Sequence, residues 1–321
     1  MYSIGVDLGG TKIAVGLVDE NNKILFKESL PTLAYRPAEE ITKDIASLCR
    51  KVAQKGGVTV EEVDAIGLAI PGTINVETGI VQYSNNIKFS DFHVVDFMVK
   101  ELNLPRSKFK IGNDANLAAY GEAVAGTGKG ASMCIVITLG TGVGSGIIID
   151  DKILTGIKYG GAEIGHMVIE YNGRQCTCGR KGCFEAYCSA TALVDLTRTK
   201  FKNNPKSLMR DFCDGDINKI GGKTAFQAMY KGDKAAKEVV DTYMSYLACG
   251  IANVINIFQP DVICIGGGIS NEGPKIIEML VPLVKEQLYS KDEELVTSIK
   301  LATLANEAGI IGAAAYARHE K

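Results

Sequence analysis

Apolar and polar residues follow two different rhythms along this chain. The helical rhythm is clearest in "EEITKDIASLCRKVAQK" (39–55), where Ile41, Ile45, Leu48 and Val52 recur three or four residues apart. The other rhythm is a short apolar run closed by glycine, and it occurs twice in nearly the same form. "IGVDLGGTKIAVGLVD" (4–19) and "IVITLGTGVGSGIIID" (135–150) align without a gap, 131 residues apart. Each is an apolar run of strand length, a turn of Gly and Thr, and a second apolar run ending in Asp. That is the pattern of two strands joined by a tight glycine turn. The offset lies far above solenoid periods, so one fold is expected to be used twice, each copy contributing a phosphate-facing turn.

The remaining runs alternate between the two rhythms. "VDAIGLAIPGTI" (63–74) is an apolar strand leading into Pro71-Gly72. "FKIGNDANLAAYGEAVAG" (109–126) reads as a strand, a polar turn and a helix, with Asn113 or Asp114 placed to cap the helix. A helical, polar region spans about 187–250. "VINIFQPDVICIGGGIS" (254–270) gives a helix end, a strand and a third glycine turn, and "GIIGAAAYARHE" (309–320) is the last helix. Strands alternating with helices predict an α/β fold with largely parallel pairing. No low-complexity linker divides the chain, so the hinges are expected within the fold, near residue 115 and again near 305. The expected domains are 1–115 with about 305–321, and a larger one, 116–304.

Composition narrows the function. A chain of 321 residues with 46% hydrophobic content suits two domains of ordinary size. With 35 Lys+Arg against 37 Asp+Glu, nothing draws it generally toward nucleic acid or acidic membrane, and a small-molecule partner is expected. "MYSIGVDLGG" has no basic leader segment, and no run approaches the roughly 18 apolar residues of a membrane span. A cytoplasmic location is expected. Thiols are kept reduced there, so the nine cysteines are not expected to form a disulfide framework. Cys134 and Cys264 lie in apolar runs and read as inert core residues; Cys49, Cys188, Cys213 and Cys249 are scattered and read as structural.

The other three cysteines need a separate account. In "HMVIEYNGRQCTCGRKGCFEA" (166–186), His166, Cys176, Cys178 and Cys183 match a Cys₃His set for structural Zn²⁺. Gly179 and Gly182 stand where the loop must turn to gather three sulfurs, and Arg174, Gln175, Arg180 and Lys181 make the region too polar for core. A DNA-binding finger is disfavoured by the charge balance and by the absence of a basic helix after the cluster. Glu163 and Glu185 flank the outer ligands. Beside a fixed imidazole they would suit a polyhydroxylated ligand; alone they would read as solvated surface charges.

The turn "DLGGTK" offers the N–H groups of Gly9, Gly10 and Thr11 with the Lys12 charge, a combination suited to a terminal phosphate. Asp7 could hold Mg²⁺ through water. A plain hairpin turn is the alternative. "LGTGVGSG" (139–146) is the matching second turn, and "IGGGIS" (265–270) is a third against which a flat nucleoside could lie. No G-x-x-x-x-G-K-[ST], no G-x-G-x-x-G after a strand and no G-x-S-x-G is present, which weakens P-loop, Rossmann and α/β-hydrolase readings. Asp114 follows a strand and opens a helix. A carboxylate there could orient an alcohol and accept its proton during phosphoryl transfer, or could merely cap the helix.

Taken together, "DLGGTK", "PGTINVETGIV", "NDANLAA", "TLGTGVGSGIII", "GGAEIGHM", "CTCGRKGCFE" and "IGGGIS" resemble, in order and almost end to end, the ROK family of sugar kinases (repressor, open reading frame, kinase). The resemblance implies a two-domain actin-like (ribonuclease H-like) ATPase fold with ATP and a hexose in the cleft between domains. It implies Asp114 as general base for the sugar 6-hydroxyl. Asn113, Glu163, His166 and Glu185 would be sugar ligands, with Gly72 approaching by its backbone. The nucleotide would be held by Gly9, Gly10, Thr11 and Lys12, by Thr138, Gly140, Thr141 and Gly142, and by Gly266, Gly267 and Gly268. Glucose is the expected hexose; N-acetylmannosamine, N-acetylglucosamine or fructose, or a non-enzymatic sugar sensor, are the alternatives. A homodimer is the expected assembly. One stretch departs from the family: where an Asn-Leu-Pro-Gly-Trp-like segment is usual, "SNNIKF" (84–89) stands, in a chain without Trp. Asn86 is expected to keep the polar sugar contact. The family's repressors carry a DNA-binding segment before the first strand; with Asp7 as the seventh residue, none is expected here.

Overall fold

The computed structural model describes residues 1–84, 87–290 and 296–319. The first strands are β1 (Tyr2–Leu8), β2 (Lys12–Asp19) and β3 (Ile24–Pro31), followed by helix α1 (Ala38–Lys55). Next come β4 (Ala65–Ile70), β5 (Thr73–Asn75), β6 (Ile80–Tyr83), β7 (Ser90–Phe92), α2 (Val94–Leu102), β8 (Phe109–Asn113) and α3 (Asp114–Ala125). The central part holds β9 (Met133–Leu139), β10 (Val143–Ile149), β11 (Lys152–Ile153), α4 (Glu185–Cys188), α5 (Ala190–Asn203), α6 (Thr224–Tyr230) and α7 (Lys234–Phe258). The chain ends with β12 (Val262–Gly266), α8 (Pro274–Gln287), β13 (Ser298–Leu301) and α9 (Ala308–His319). It divides into two compact units: Met1–Ser132, Gly146–Ala162 and Thr303–Lys321 form the first, and Met133–Ser145 and Glu163–Ala302 the second.

The first unit is built on a sheet of order β3-β2-β1-β4-β8, with β1 antiparallel to β2 and parallel to β4. Strand alternation gives its two faces different characters. One face carries Ile4, Val6, Leu8, Val15, Leu68 and Ile70, which share a core with Ile41, Ile45, Leu48 and Val52 of α1, the helical positions read from sequence. The other carries Gly5, Ala14, Gly16, Gly67 and Ala69, and α9 lies against it with Ile310, Ala313 and Ala314. Small residues are required there because backbone meets backbone. Gly5 and Gly67 are register partners, and a Cβ on them would lie 1.9 Å from the Ile310 carbonyl oxygen and 1.8 Å from that of Ala313. A methyl group at either position would lift α9 off the sheet. Asp7 sits on this same face, two residues beyond Gly5.

The second sheet has the order β11-β10-β9-β12-β13, with β12 parallel to both β9 and β13. Its order matches the first sheet strand for strand, and β1 and β9 both start and end 131 residues apart (2 and 133, 8 and 139). The duplication read from "IGVDLGGTKIAVGLVD" and "IVITLGTGVGSGIIID" is therefore one of fold. A smaller sheet, β5-β6-β7, follows β4 in the first unit. None of the nine cysteines is in a disulfide. Cys134 and Cys264 are buried as expected, on the adjacent strands β9 and β12, and burial pushes Cys49 up to about 12, so it is an inert core thiol. No helix among the described residues is long and apolar enough to cross a membrane.

Candidate active site

The residues singled out by sequence fall into two groups, one in each unit. In the first unit the turn between β1 and β2 is closed by a hydrogen bond from the Gly9 N–H to the Lys12 carbonyl, 2.9 Å. Gly9 and Gly10 are half-buried, and Thr11 and Lys12 are exposed. Asp7 ends up beneath α9: a Cβ on Gly309 would lie 2.6 Å from its carboxyl carbon. Burial raises its pKa to about 6, the Asp114 carboxylate adds to the rise, and Lys12 and Lys27 oppose it. The two carboxylates are thus electrostatic neighbours.

Sequence left open whether Asn113 or Asp114 caps α3, and the cap is Asn113. Its Oδ1 accepts from the N–H groups of Ala115 (3.0 Å) and Asn116 (3.2 Å), and its Nδ2 donates to the Gly72 carbonyl (3.0 Å). Asp114 is the first residue of α3, with Oδ1 accepting from the Ala115 N–H at 2.9 Å. The dipole of the helix N-terminus favours a negative charge there. Gly72 has φ of +121°, and a Cβ would lie 2.2 Å from the Tyr83 carbonyl oxygen, so only glycine fits. Asn113 thereby ties the end of β8 to the Pro71-Gly72 turn after β4. Asn86 lies outside the described residues.

In the second unit His166, Cys176, Cys178 and Cys183 converge, each offering a ligand atom, all within 4.8 Å of one another. The sulfurs of Cys178 and Cys183 are 3.7 Å apart, and Cys176 Sγ is 3.7 Å from His166 Nδ1. Zn–S bonds of about 2.3 Å at tetrahedral angles set sulfurs roughly 3.8 Å apart, so the spacing fits the donor set to Zn²⁺. Electrostatics agree. Burial and the neighbouring thiols push Cys183 up to about 12, because three thiols cannot all ionise together without a cation. Gly179 and Gly182 both have positive φ, as the turning loop requires, and Phe184 anchors the loop by packing its ring against Gly250 of α7.

Glu185, the first residue of α4, joins this loop to the second glycine turn. Its carboxylate accepts from the Thr177 hydroxyl and from the Val143 N–H, both at 3.0 Å. Glu163 is exposed and precedes the short turn Ile164–His166, which is fastened to β10 by the Ile164 N–H donating to Ser145 Oγ at 3.0 Å. The second and third glycine turns also meet. Gly266 pairs with Thr138 across the sheet, and a Cβ on Gly267 would lie 2.5 Å from the Leu139 carbonyl oxygen. Beyond them, Gly140 and Thr141 are held by their carbonyls, which accept from the Ala190 N–H (2.7 Å) and the Thr191 hydroxyl (2.9 Å). Gly142 lies against the Glu185 carboxylate, and Gly268 is exposed at the start of the short turn Gly268–Glu272.

These features are those of a known group of proteins. The profile of the ROK family matches residues 3–320. The chain belongs to the ROK family. A glucokinase of Thermotoga maritima is 37% identical, across 97% of this chain and 95% of that protein. A glucokinase of Halalkalibacterium halodurans is 34% identical, across 97% and 93%. The crystal structure of a ROK family glucokinase from Streptomyces griseus, in complex with glucose and AMPPNP, is 32% identical, covers 99% of this chain and 100% of that one, and superposes with a TM-score of 0.81. The ROK fold, two domains of the actin-like kinase type, is the fold described above. One residue beside the first glycine turn that local sequence does not flag is Thr32. It is bonded to that turn across 23 positions of sequence, a contact no local motif encodes.

Proposed function

We propose that the chain is an ATP-dependent kinase that phosphorylates the 6-hydroxyl of glucose. The observation that carries this reading is Asp114: a carboxylate on the first residue of α3, held by the Ala115 N–H beside the capping residue Asn113 and an electrostatic neighbour of Asp7. Phosphoryl transfer to an alcohol needs one such group to orient the hydroxyl and take its proton. In this mechanism the 6-hydroxyl oxygen attacks the γ-phosphorus in line. Its proton passes to Asp114, and the bond to the leaving oxygen of ADP breaks as the new O–P bond forms. Lys12, the amides of Gly10 and Thr11, and the turn of Thr138, Gly140, Thr141 and Gly142 hold the phosphate oxygens, while the Gly9 amide closes the turn on the Lys12 carbonyl. The backbone of Gly266, Gly267 and Gly268 takes the nucleoside. Asp7 would hold Mg²⁺ through water, and the ion would supply neutralisation of phosphate charge.

The sugar hydroxyls are assigned to Gly72, Asn86, Asn113, Asp114, Glu163, His166 and Glu185. Asn113 has spent one N–H on Gly72 and keeps a second for a ligand. His166, Cys176, Cys178 and Cys183 would hold Zn²⁺ as a structural ion, since four protein ligands would leave no position for substrate. The test is ADP release with glucose, mannose, fructose, N-acetylglucosamine and N-acetylmannosamine. A kcat/KM for glucose about tenfold or more above the others is expected. A higher value for an N-acetyl sugar would overturn the glucose assignment, and no sugar-dependent release would overturn the kinase reading.

A further inference from the structure

We infer that Thr32 is a positioning residue for the terminal phosphates of the nucleotide, acting through the first glycine turn. The inference rests on the kinase reading above. Thr32 follows the last residue of β3 and is fully buried. Its hydroxyl donates to the Gly9 carbonyl at 2.6 Å, and its own N–H donates to the Thr11 carbonyl at 3.0 Å. A buried hydroxyl carries a desolvation cost that valine, of the same shape, would avoid. The hydroxyl stands here because it has a carbonyl of the turn to hold.

Holding that carbonyl fixes an amide. In a planar trans peptide the carbonyl of one residue and the N–H of the next point in opposite directions. With the Gly9 carbonyl drawn to Thr32, the Gly10 N–H points away from Thr32, and it takes no partner among the described residues. The turn is thereby set with a free donor on the side opposite its anchor, which is the arrangement an anion requires. The anchor is itself braced. The Thr32 carbonyl accepts from Arg36 Nη2 at 3.0 Å, and the same nitrogen reaches Asp44 Oδ2 of α1 at 2.6 Å. A run of contacts therefore leads from α1 through Arg36 and Thr32 to the amide of Gly10. Asp7 and Lys12 supply charge at this turn; Thr32 supplies its orientation.

The experiment is calorimetric titration of the full-length protein, with Mg²⁺ present, by a non-hydrolysable ATP analogue and separately by AMP, which lacks the terminal phosphates. Thr32→Val should weaken the ATP analogue about tenfold, the loss one displaced hydrogen-bond anchor supports, and leave AMP and the hexose KM unchanged. Thr32→Ser, which keeps the donor, should bind within about threefold of wild type. Should Thr32→Val fail to fold, Arg36→Met removes only the brace and should weaken the ATP analogue selectively in the same way. Unchanged binding of the analogue in Thr32→Val, or equal weakening of analogue and AMP, would overturn the role of Thr32. A wild-type protein that binds no ATP analogue would overturn the kinase reading beneath it.

Discussion

Replacing Asp7 by Asn should make the protein more stable while removing its activity. Burial beneath α9 and the nearby Asp114 carboxylate raise Asp7 from 3.8 to about 6. Each tenfold change in proton affinity corresponds to about 1.36 kcal/mol, so ionised Asp7 costs the folded chain up to about 3 kcal/mol at pH 7; residual solvent contact brings the expectation to about 1–3 kcal/mol. Between about pH 4 and 6 the folded chain holds this proton and the unfolded chain does not. The stability of the protonated form is fully present below the unfolded pKa and is lost as pH rises through the folded one. Asn has the same shape and no charge, so the advantage of Asp7→Asn should be near zero at pH 4, grow through pH 6 and stay level above it. The assay is thermal unfolding of both proteins from pH 4 to 8 at constant ionic strength. At pH 7 the variant should melt about 1.5–4.5 °C higher. A variant that melts lower at pH 7, or a difference that does not change with pH, would refute the burial of a destabilised Asp7 carboxylate beneath α9. Loss of turnover in the same variant is expected, since an amide cannot hold the hydrated Mg²⁺ as a carboxylate does.

Other consequences can be measured separately. Cys178→Ser removes one corner of the Cys₃His set, and elemental analysis should find less than about a tenth of the wild-type zinc, with a lower melting temperature; full zinc content would refute the assignment. Gly72→Ala forces a Cβ against the Tyr83 carbonyl oxygen at a φ of +121°. It should cost about 1–3 kcal/mol of stability and weaken glucose in a binding titration while leaving the ATP analogue unchanged. Equal glucose affinity would show that the Asn113–Gly72 link does not shape the sugar site.

Much of the fold could be read from the chain because its signals are local. The two glycine-turn hairpins, the helix at 39–55 and the last helix each announce themselves within about 18 residues. The Cys₃His cluster is legible for the same reason: His166, Cys176, Cys178 and Cys183 fall within 18 residues and carry a distinctive chemistry. The role of Asn113 needed the structure, since both it and Asp114 satisfy the sequence rule for a cap. In sequence Glu185 is only a carboxylate flanking the last cysteine, and three dimensions reveal that it bridges Thr177 and Val143. Thr32 and Gly309 act on Gly9 and Asp7 from far along the chain, and nothing in the residues around them marks the contact. Alternation of large and small residues on β1 and β4 does foreshadow the close approach of α9, but not that the approach buries Asp7.

The role proposed for Asp114 is to serve phosphoryl transfer from ATP to a hexose hydroxyl. The most direct measurement is phosphorus and proton NMR of the reaction of glucose with ATP and Mg²⁺, run in parallel with wild type and Asp114→Asn. Wild type should yield glucose 6-phosphate and ADP in equal amounts. Asp114→Asn should lower the rate at least about a hundredfold while still binding both substrates. ADP formed without a sugar phosphate, or phosphorylation that continues at the wild-type rate in Asp114→Asn, would overturn the role of Asp114.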